Sequence, residues 1–334
     1  GHKVTMLIGD FTGMIGDPTD KSETRKKLTR EEVLKNSSNY KTTAKKFINF
    51  SGDNPARMLY NSQWGDKLSF VELIEIASNF TVQQMIVRDM FQDRIKRNKP
   101  IYLHEFLYPL AQGYDSVAMD IDLEIGGRDQ LFNMLCGRDL VKVILNKEKL
   151  VLGTKLLVDP SGKKMGKTEG AMVALDDTPE MIYGKIMSWP DELIIPGLEG
   201  CTRIPMTEVN RIEKEMKKEK LSPIDAKAIL AKEITKNCHN LKRAEEAERE
   251  FNIVFREKKT PTKIDKIKLK EGEYRLLDLL ILSQMVPSKN EGRRLIEQKG
   301  VKINREVKND WQETVSVKKG FIISVGKRRF IEID

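Results

Sequence analysis

Cysteine and histidine are both scarce, and neither is placed where it could carry chemistry. The three cysteines, Cys136, Cys201 and Cys238, are odd in number, scattered and without metal-ligand spacing. That excludes a disulfide framework or a zinc module and points to reduced thiols in a cytoplasmic protein. The three histidines, His2, His104 and His239, stand apart from one another; they assemble no site, and no general base is expected from them. Long apolar runs are missing as well. The longest, residues 276–286, is interrupted by Asp278, Ser283 and Gln284, and is too short and too polar to span a bilayer. Residues 1–8 show no charged segment leading into a long apolar one, so no signal peptide is read there. Internal repeats and low-complexity tracts are absent too.

What is present is charge. Charged residues make up 33% of the 334 and hydrophobic ones 39%, with a net charge of +9, the balance of a folded soluble chain rather than a disordered one. The length predicts two or three domains. The basic excess allows a polyanionic partner without requiring one.

The order of elements indicates the fold class. Residues 4–8 form a short apolar run ending at Gly9, the pattern of a buried strand entering a loop. The Gly-, Asp- and Pro-rich stretch from Gly9 to Lys21 is expected to be irregular. Residues 29–47 and 69–98 read as helices, the second with apolar positions Leu73, Ile76, Ala77 and Phe80 and again Met85, Ile86 and Met90. A helix is expected over 103–111, a short strand within 117–125, and a helix over 131–145. Strands separated by helices predict an α/β domain with a parallel, doubly covered sheet. Residues 176–257 are helical and heavily charged; 258–273 read as a lysine-rich linker; 274–334 read as a compact unit of two short helices followed by short strands such as 301–303 and 321–325.

Three stretches carry chemistry. Lys163-Lys164-Met165-Gly166-Lys167-Thr168-Glu169-Gly170 places ammonium groups in a glycine-flanked loop, where backbone can approach an anionic ligand closely; a plain basic turn would look the same. Gly13-Met14-Ile15-Gly16-Asp17-Pro18 followed by Thr19-Asp20-Lys21 and Ser22-Glu23-Thr24-Arg25 offers a carboxylate suited to an ammonium group and two cations suited to an anionic group. Standing alone, Asp17 would be a turn residue. Tyr108, Gln112 and Asp115, spaced i, i+4 and i+7, fall on one helix face among apolar Phe106, Leu107 and Leu110, where polar tips must be satisfied rather than solvated.

Taken together these stretches resemble the bacterial-type tyrosine–tRNA ligases of the class I aminoacyl-tRNA synthetases. The lysine loop resembles the second class I signature in its Lys-x-Gly-Lys-Thr form. The stretch from Tyr108 through Gly126-Gly127-Arg128-Asp129-Gln130, with Asn61-Ser62-Gln63-Trp64 and Phe80-Thr81-Val82-Gln83-Gln84-Met85 upstream, continues the likeness. Residues 287–296 and 300–304 resemble the small RNA-binding module at the end of such enzymes. The resemblance implies a Rossmann-type doubly wound parallel sheet over 1–175, incomplete at its N-terminal side, then an α-helical anticodon-binding domain over 176–257, the linker, and an α+β RNA-binding module over 274–334.

The resemblance also implies roles. Tyr108 and Asp17 would hold the tyrosine amino group, with help from Gln112. Asp115 would accept the phenolic hydroxyl, and Gln130 would meet the substrate carboxylate. Gly127 and Asp129 would face the adenylate ribose, with Leu157 also against ATP or the adenylate. Asn61 and Trp64 would support the pocket. Lys21, Arg25, Lys164, Lys167 and Thr168 would stabilise charge on the phosphates, with Mg2+ accompanying the ATP. Lys289, Arg293, Arg294, Lys302 and Arg305, with a second basic spot at residues 327–329, would contact tRNA(Tyr). A homodimer is expected, with residues 103–106 and the segment near Met134 as candidate interface.

Two departures stand out: Asp10 and Asp20 occupy positions where glycine is usual in the family. The His-x-Gly-His signature that contacts ATP is not found before the first strand, and Gly1-His2 matches a later glycine–histidine pair, so weak ATP binding is expected of the sequence as it stands. Two other readings remain open. One is an RNA-binding protein that keeps the synthetase body without catalysis, against which the retained Asp115, Lys164 and Lys167 argue. The other is a tryptophan enzyme of similar fold, against which Asp115 and the C-terminal module argue.

Overall fold

The first apolar run forms β1 (Thr5–Ile8) and ends at a buried Ile8. A computed structural model describes residues 1–15, 28–158, 172–257, 264–326 and 329–334. Immediately after β1 the glycine-rich stretch makes a single helical turn, α1 (Thr12–Ile15), a correction to the expectation of wholly irregular backbone. α2 (Arg30–Ser37) and α3 (Tyr40–Ala44) follow. Next come β2 (Arg57–Tyr60), α4 (Ser62–Gly65), α5 (Phe70–Ala77), α6 (Val82–Ile86) and α7 (Asp89–Lys96).

The region expected as one helix over 69–98 is thus three. The first break has a local cause. Asn79 turns its Nδ2 back onto the carbonyls of Glu75 and Ile76, and Thr81 with Gln84 forms a capping box that starts α6 afresh. Side chains of this kind offer backbone groups partners that a continuous helix would withhold.

α8 (Leu103–Ala118) runs seven residues beyond the expected end, with Pro109 inside it. β3 (Leu123–Gly127), a 3-10 turn over Arg128–Gln130, α9 (Leu131–Leu145) and β4 (Leu150–Thr154) complete the α/β part. β1 pairs with β2 and β3 with β4, both parallel, as strands joined through helices must. Among the described residues these are two separate two-stranded sheets. Ile76, Met85, Leu110, Val117, Leu140 and Val141 form the core under the helices.

α10 (Pro179–Met187), α11 (Ile194–Cys201), α12 (Met206–Lys217), α13 (Pro223–Cys238) and α14 (Leu241–Phe251) make up the helical region. Its interior includes Ile182, Tyr183, Ile186, Leu198 and Leu230. The chain separates into two compact units, Gly1–Ala244 and Glu245–Asp334. This boundary lies ahead of the lysine-rich stretch that sequence suggested as linker. That stretch is also not wholly linker: it contains β5 (Asp265–Ile267) and the start of β6 (Gly272–Arg275).

The second unit adds α15 (Leu276–Leu282), α16 (Lys289–Glu297), β7 (Val301–Ile303), β8 (Glu306–Lys308), β9 (Thr314–Val317), β10 (Ile322–Val325) and β11 (Arg329–Ile333). Its main sheet has the order β5-β11-β10-β7-β8, and β6 pairs with β9 separately. Leu276, Leu279, Ile296, Val301 and Ile323 lie in its core. Among the described residues no helix is long and apolar enough to cross a membrane.

Candidate active site

The carboxylate of Asp115 lies on the buried side of α8, 5% exposed. Trp64 Nε1 donates to its Oδ1 at 2.7 Å and Asn61 Nδ2 to its Oδ2 at 3.2 Å. Asn61 is itself fully buried and fixed at both ends: its Oδ1 accepts from the Phe11 amide at 2.8 Å, and its Nδ2 also donates to Thr12 Oγ1 at 3.0 Å. The parallel pairing of β1 and β2 brings the turns after the two strands together, so Phe11, Thr12, Asn61 and Trp64 converge on α8 from one end of the sheet. Asp10 is buried in the same turn and accepts from the Ser62 amide at 2.9 Å, holding the start of α4, which carries Trp64.

Burial pushes the Asp115 carboxyl up to about 7, against the downward pull of the Trp64 and Asn61 hydrogen bonds and with added repulsion from Glu124 and Asp10. An ionised acceptor held this dry is costly unless a further donor reaches it. A carboxylate has room for such a donor beyond the two already present.

A second cluster lies one turn away. Asn133, 1% exposed on α9, donates from Nδ2 to Gln112 Oε1 at 2.9 Å and to Gln130 Oε1 at 3.0 Å. Both glutamines therefore accept through oxygen and donate through their NH2 ends, and that of Gln130 already reaches Asp129 Oδ2 at 3.4 Å. The Oδ1 of Asn133 is buried without a hydrogen-bond partner.

Beyond Gln130, the Asp129 carboxylate folds over Gly127: a Cβ at Gly127 would lie 2.5 Å from Asp129 Oδ1 and 3.1 Å from Leu156 Cδ2. Only glycine leaves that backbone approachable. Leu157 is half-buried and outside regular structure, and it is Leu156 that closes on Gly127.

α8 is anchored at its start. Arg94 grips the fully buried Glu105 through both oxygens, at 2.8 and 2.6 Å, and Glu105 in turn accepts from the Tyr102 amide. Burial alone would raise the Glu105 carboxyl, but the Arg94 fork and the Tyr102 amide outweigh it and hold it below the usual range.

The sequence-predicted residues Tyr108, Gln112 and Asp115 share α8; Asn61 is bonded to its C-terminal half and Gln130 is tied to it through Asn133, while Gly127 and Asp129 adjoin Gln130 at the end of β3. Asp17, Lys21, Arg25, Lys164, Lys167 and Thr168 lie outside the described residues. Sequence reading missed Thr12, Asn133 and the capping role of Asp10. The first two are single polar residues at the starts of helices. No motif announces them, and only their contacts across 49 and 21 residues of chain do.

Residues 1–256 match the family of class I tRNA synthetases for tryptophan and tyrosine. This chain belongs to the class I aminoacyl-tRNA synthetases. Within that class it is 43% identical to a tyrosine–tRNA ligase of Carboxydothermus hydrogenoformans, over the whole of this chain and 82% of the relative. It is 40% identical to one of Thermotoga maritima, again over the whole chain and 82% of the relative. Its fold is similar to a C-terminally truncated mitochondrial tyrosyl-tRNA synthetase of Aspergillus nidulans, with a TM-score of 0.59 at 20% identity over 75% of this chain and 76% of that one. A tyrosyl-tRNA synthetase of Archaeoglobus fulgidus, complexed with L-tyrosine, gives 0.54 at 18% identity over 74% and 80%. The synthetase fold thus accounts for the α/β part, with its parallel pairs β1–β2 and β3–β4.

The basic residues expected to meet RNA lie in the second unit. On α16, Lys289 pairs with Asp278 at 2.8 Å, while Arg293 reaches Glu297 at 3.0 Å and stacks 4.5 Å over the Trp311 ring. Arg294 and Lys302 project outward without a side-chain partner among the described residues. Arg305 stands at the tip of the two-residue β7–β8 hairpin, where Asn304 and Arg305 both have positive φ, 45° and 75°. Such a turn normally takes asparagine and glycine, so an arginine there is held at a local cost.

Proposed function

We propose that this synthetase activates L-tyrosine with ATP to tyrosyl-adenylate and pyrophosphate, and then passes the tyrosyl group to tRNA(Tyr). The observation that carries the reading is Asp115, a buried carboxylate already held by Trp64 and Asn61 and open to one more donor. A tyrosine hydroxyl is that donor. Phenylalanine would leave the carboxylate buried and under-paired, so the site selects for the hydroxyl. The named relatives at 40% identity and above are tyrosine–tRNA ligases, which supports the same substrate.

Around the hydroxyl, Tyr108, Asp17 and Gln112 hold the amino group, and Gln130, oriented by Asn133, donates to the carboxylate. Gly127 and Asp129 receive the adenylate ribose, with Leu157 alongside. Attack of the tyrosine carboxylate on the α-phosphate needs no protein base. It needs cations where charge accumulates, and Lys21, Arg25, Lys164, Lys167 and Thr168 supply donors there while Mg2+ travels with the ATP. Lys289, Arg293, Arg294, Lys302 and Arg305 track the tRNA backbone. The enzyme works in the cytoplasm as a homodimer, with Leu103 at the subunit interface. Met134, only 1% exposed, is an interior residue instead: its Sδ fills the space a Cβ on Gly126 would need.

Amino-acid-dependent ATP–pyrophosphate exchange tests the reading. Exchange with tyrosine and not with phenylalanine or tryptophan is expected. Equal exchange with phenylalanine would remove Asp115 from its role, and exchange with tryptophan alone would replace the substrate. Tyrosine binding without exchange would retain the pocket and deny catalysis.

A further inference from the structure

α8, α9, β3 and β4 meet at a buried ammonium group that the reaction does not use. Lys149, at the entry to β4, exposes none of its side chain. Its Nζ donates to the Glu124 carboxylate, to Ser116 Oγ at 2.8 Å and to the Met134 carbonyl at 3.2 Å, so all three of its hydrogens are placed. Room for it is provided by Gly137, where a Cβ would lie 2.7 Å from Nζ. A buried lysine is an expensive way to join four elements, since an apolar side chain of similar volume would serve packing alone at no desolvation cost.

Its partners suggest why it is there. Ser116 is the residue after Asp115 on α8, and its hydroxyl also donates to Glu124 at 3.3 Å. The charged groups acting on Asp115 include Glu124 from β3 and Asp10 from the turn after β1, both negative. Asp10 accepts from the Ser62 amide and lies in the field of Arg30, whose guanidinium is itself paired with Asp66. Glu124 has Lys149.

We propose that Lys149 is a positioning residue of the tyrosine pocket: it offsets part of the charge of Glu124 behind Asp115 and pins α8 to α9 and β3 at that turn. The inference rests on Asp115 as acceptor of the tyrosine hydroxyl. Without Lys149, the uncompensated Glu124 favours the protonated form of Asp115, which is the weaker acceptor for a phenol. With both Lys149 and Glu124 replaced by neutral residues, that penalty vanishes although the lysine is gone.

The test is calorimetric titration of the whole chain with L-tyrosine between about pH 5.5 and 8.5, for wild type, Lys149→Met, Glu124→Gln, the double variant and Asp115→Asn. Affinity is expected to rise with pH in the wild type. Lys149→Met is expected to move the midpoint of that rise upward by about one pH unit and to weaken binding roughly tenfold near neutrality. The double variant is expected to return the midpoint to the wild-type value or below it. An unshifted midpoint in Lys149→Met, or a shift that persists in the double variant, overturns the proposal and leaves Lys149 as packing. Should Lys149→Met fail to fold, Glu124→Gln decides alone: its midpoint must fall, and an unchanged or raised one refutes the idea. Asp115→Asn separates the two levels of argument. If it keeps the wild-type pH dependence, the Asp115 reading itself is wrong; if it abolishes that dependence while Lys149→Met changes nothing, only the Lys149 inference fails.

Discussion

At the scale of single residues, Asp115 and Glu105 illustrate opposite settlements of the same problem on one helix. Glu105 is buried against the fixed guanidinium of Arg94 and stays ionised, so its contribution to stability is present above the usual carboxylate range and is lost as acid protonates it in the folded state. Asp115 has only neutral donors, and its carboxyl is raised to about 7. Below the ordinary carboxylate range both folded and unfolded chains carry the proton, and Asp115 costs nothing. As pH rises toward 7 the unfolded chain ionises first, so stability falls, and above about 7 the full penalty remains. Asp115→Asn is therefore expected to stabilise the unliganded protein at pH 8, by up to about 4 kcal/mol, and to have little effect near pH 4, while weakening tyrosine binding. Urea unfolding at the two pH values checks this. A variant less stable than wild type at pH 8 would mean that Asp115 is already better paired than its burial suggests.

At the scale of elements, the site depends on how closely α8 and α9 approach. A Cβ on Gly113 would lie 3.1 Å from the Gly137 amide nitrogen and 3.2 Å from the Cys136 carbonyl carbon, backbone atoms with no room to yield. Gly113→Ala is expected to cost about 2–3 kcal/mol and to misalign Gln112 against Asn133. Gly200, inside α11 with nothing within 4 Å of a Cβ, is the contrasting case, and Gly200→Ala should stabilise by up to about 1 kcal/mol. Chemical denaturation of the two variants distinguishes them, and equal effects would deny the close crossing its role. Helix existence was legible at this scale and helix continuity was not. The apolar spacing of residues 69–98 is helical throughout, and the capping side chains of Asn79, Thr81 and Gln84 make its first division. The lysine-rich stretch misleads for a similar reason, because the three residues Asp265–Ile267 carry no alternation that could outweigh its composition. Pairing with Ile331–Ile333 decides it.

At the scale of the whole molecule, the first unit leaves large apolar side chains uncovered: Leu103 at the start of α8 at 82%, Phe70 at the start of α5 at 76%, and Val87 just after α6 at 67% exposed. Exposed apolar area of this kind is characteristic of a surface used for association. Leu103→Glu is expected to convert the proposed homodimer to monomer in sedimentation equilibrium and to lower aminoacylation more than tyrosine binding, and a wild-type chain that sediments as a monomer would contradict the interface.

The family, and most of the residues proposed for the tyrosine pocket, were legible from local sequence. Tyr108, Gln112 and Asp115 lie within one helix, where i, i+4 and i+7 share a face whatever surrounds it. Tertiary structure alone decided the partners that give those residues their properties. Asn61 reaches Asp115 across 54 residues, and Lys149 reaches Ser116 across 33. Helical periodicity is a local property of the chain, whereas the burial that raises Asp115 and the cation that meets Glu124 exist only once parallel strands and crossing helices have brought distant residues together.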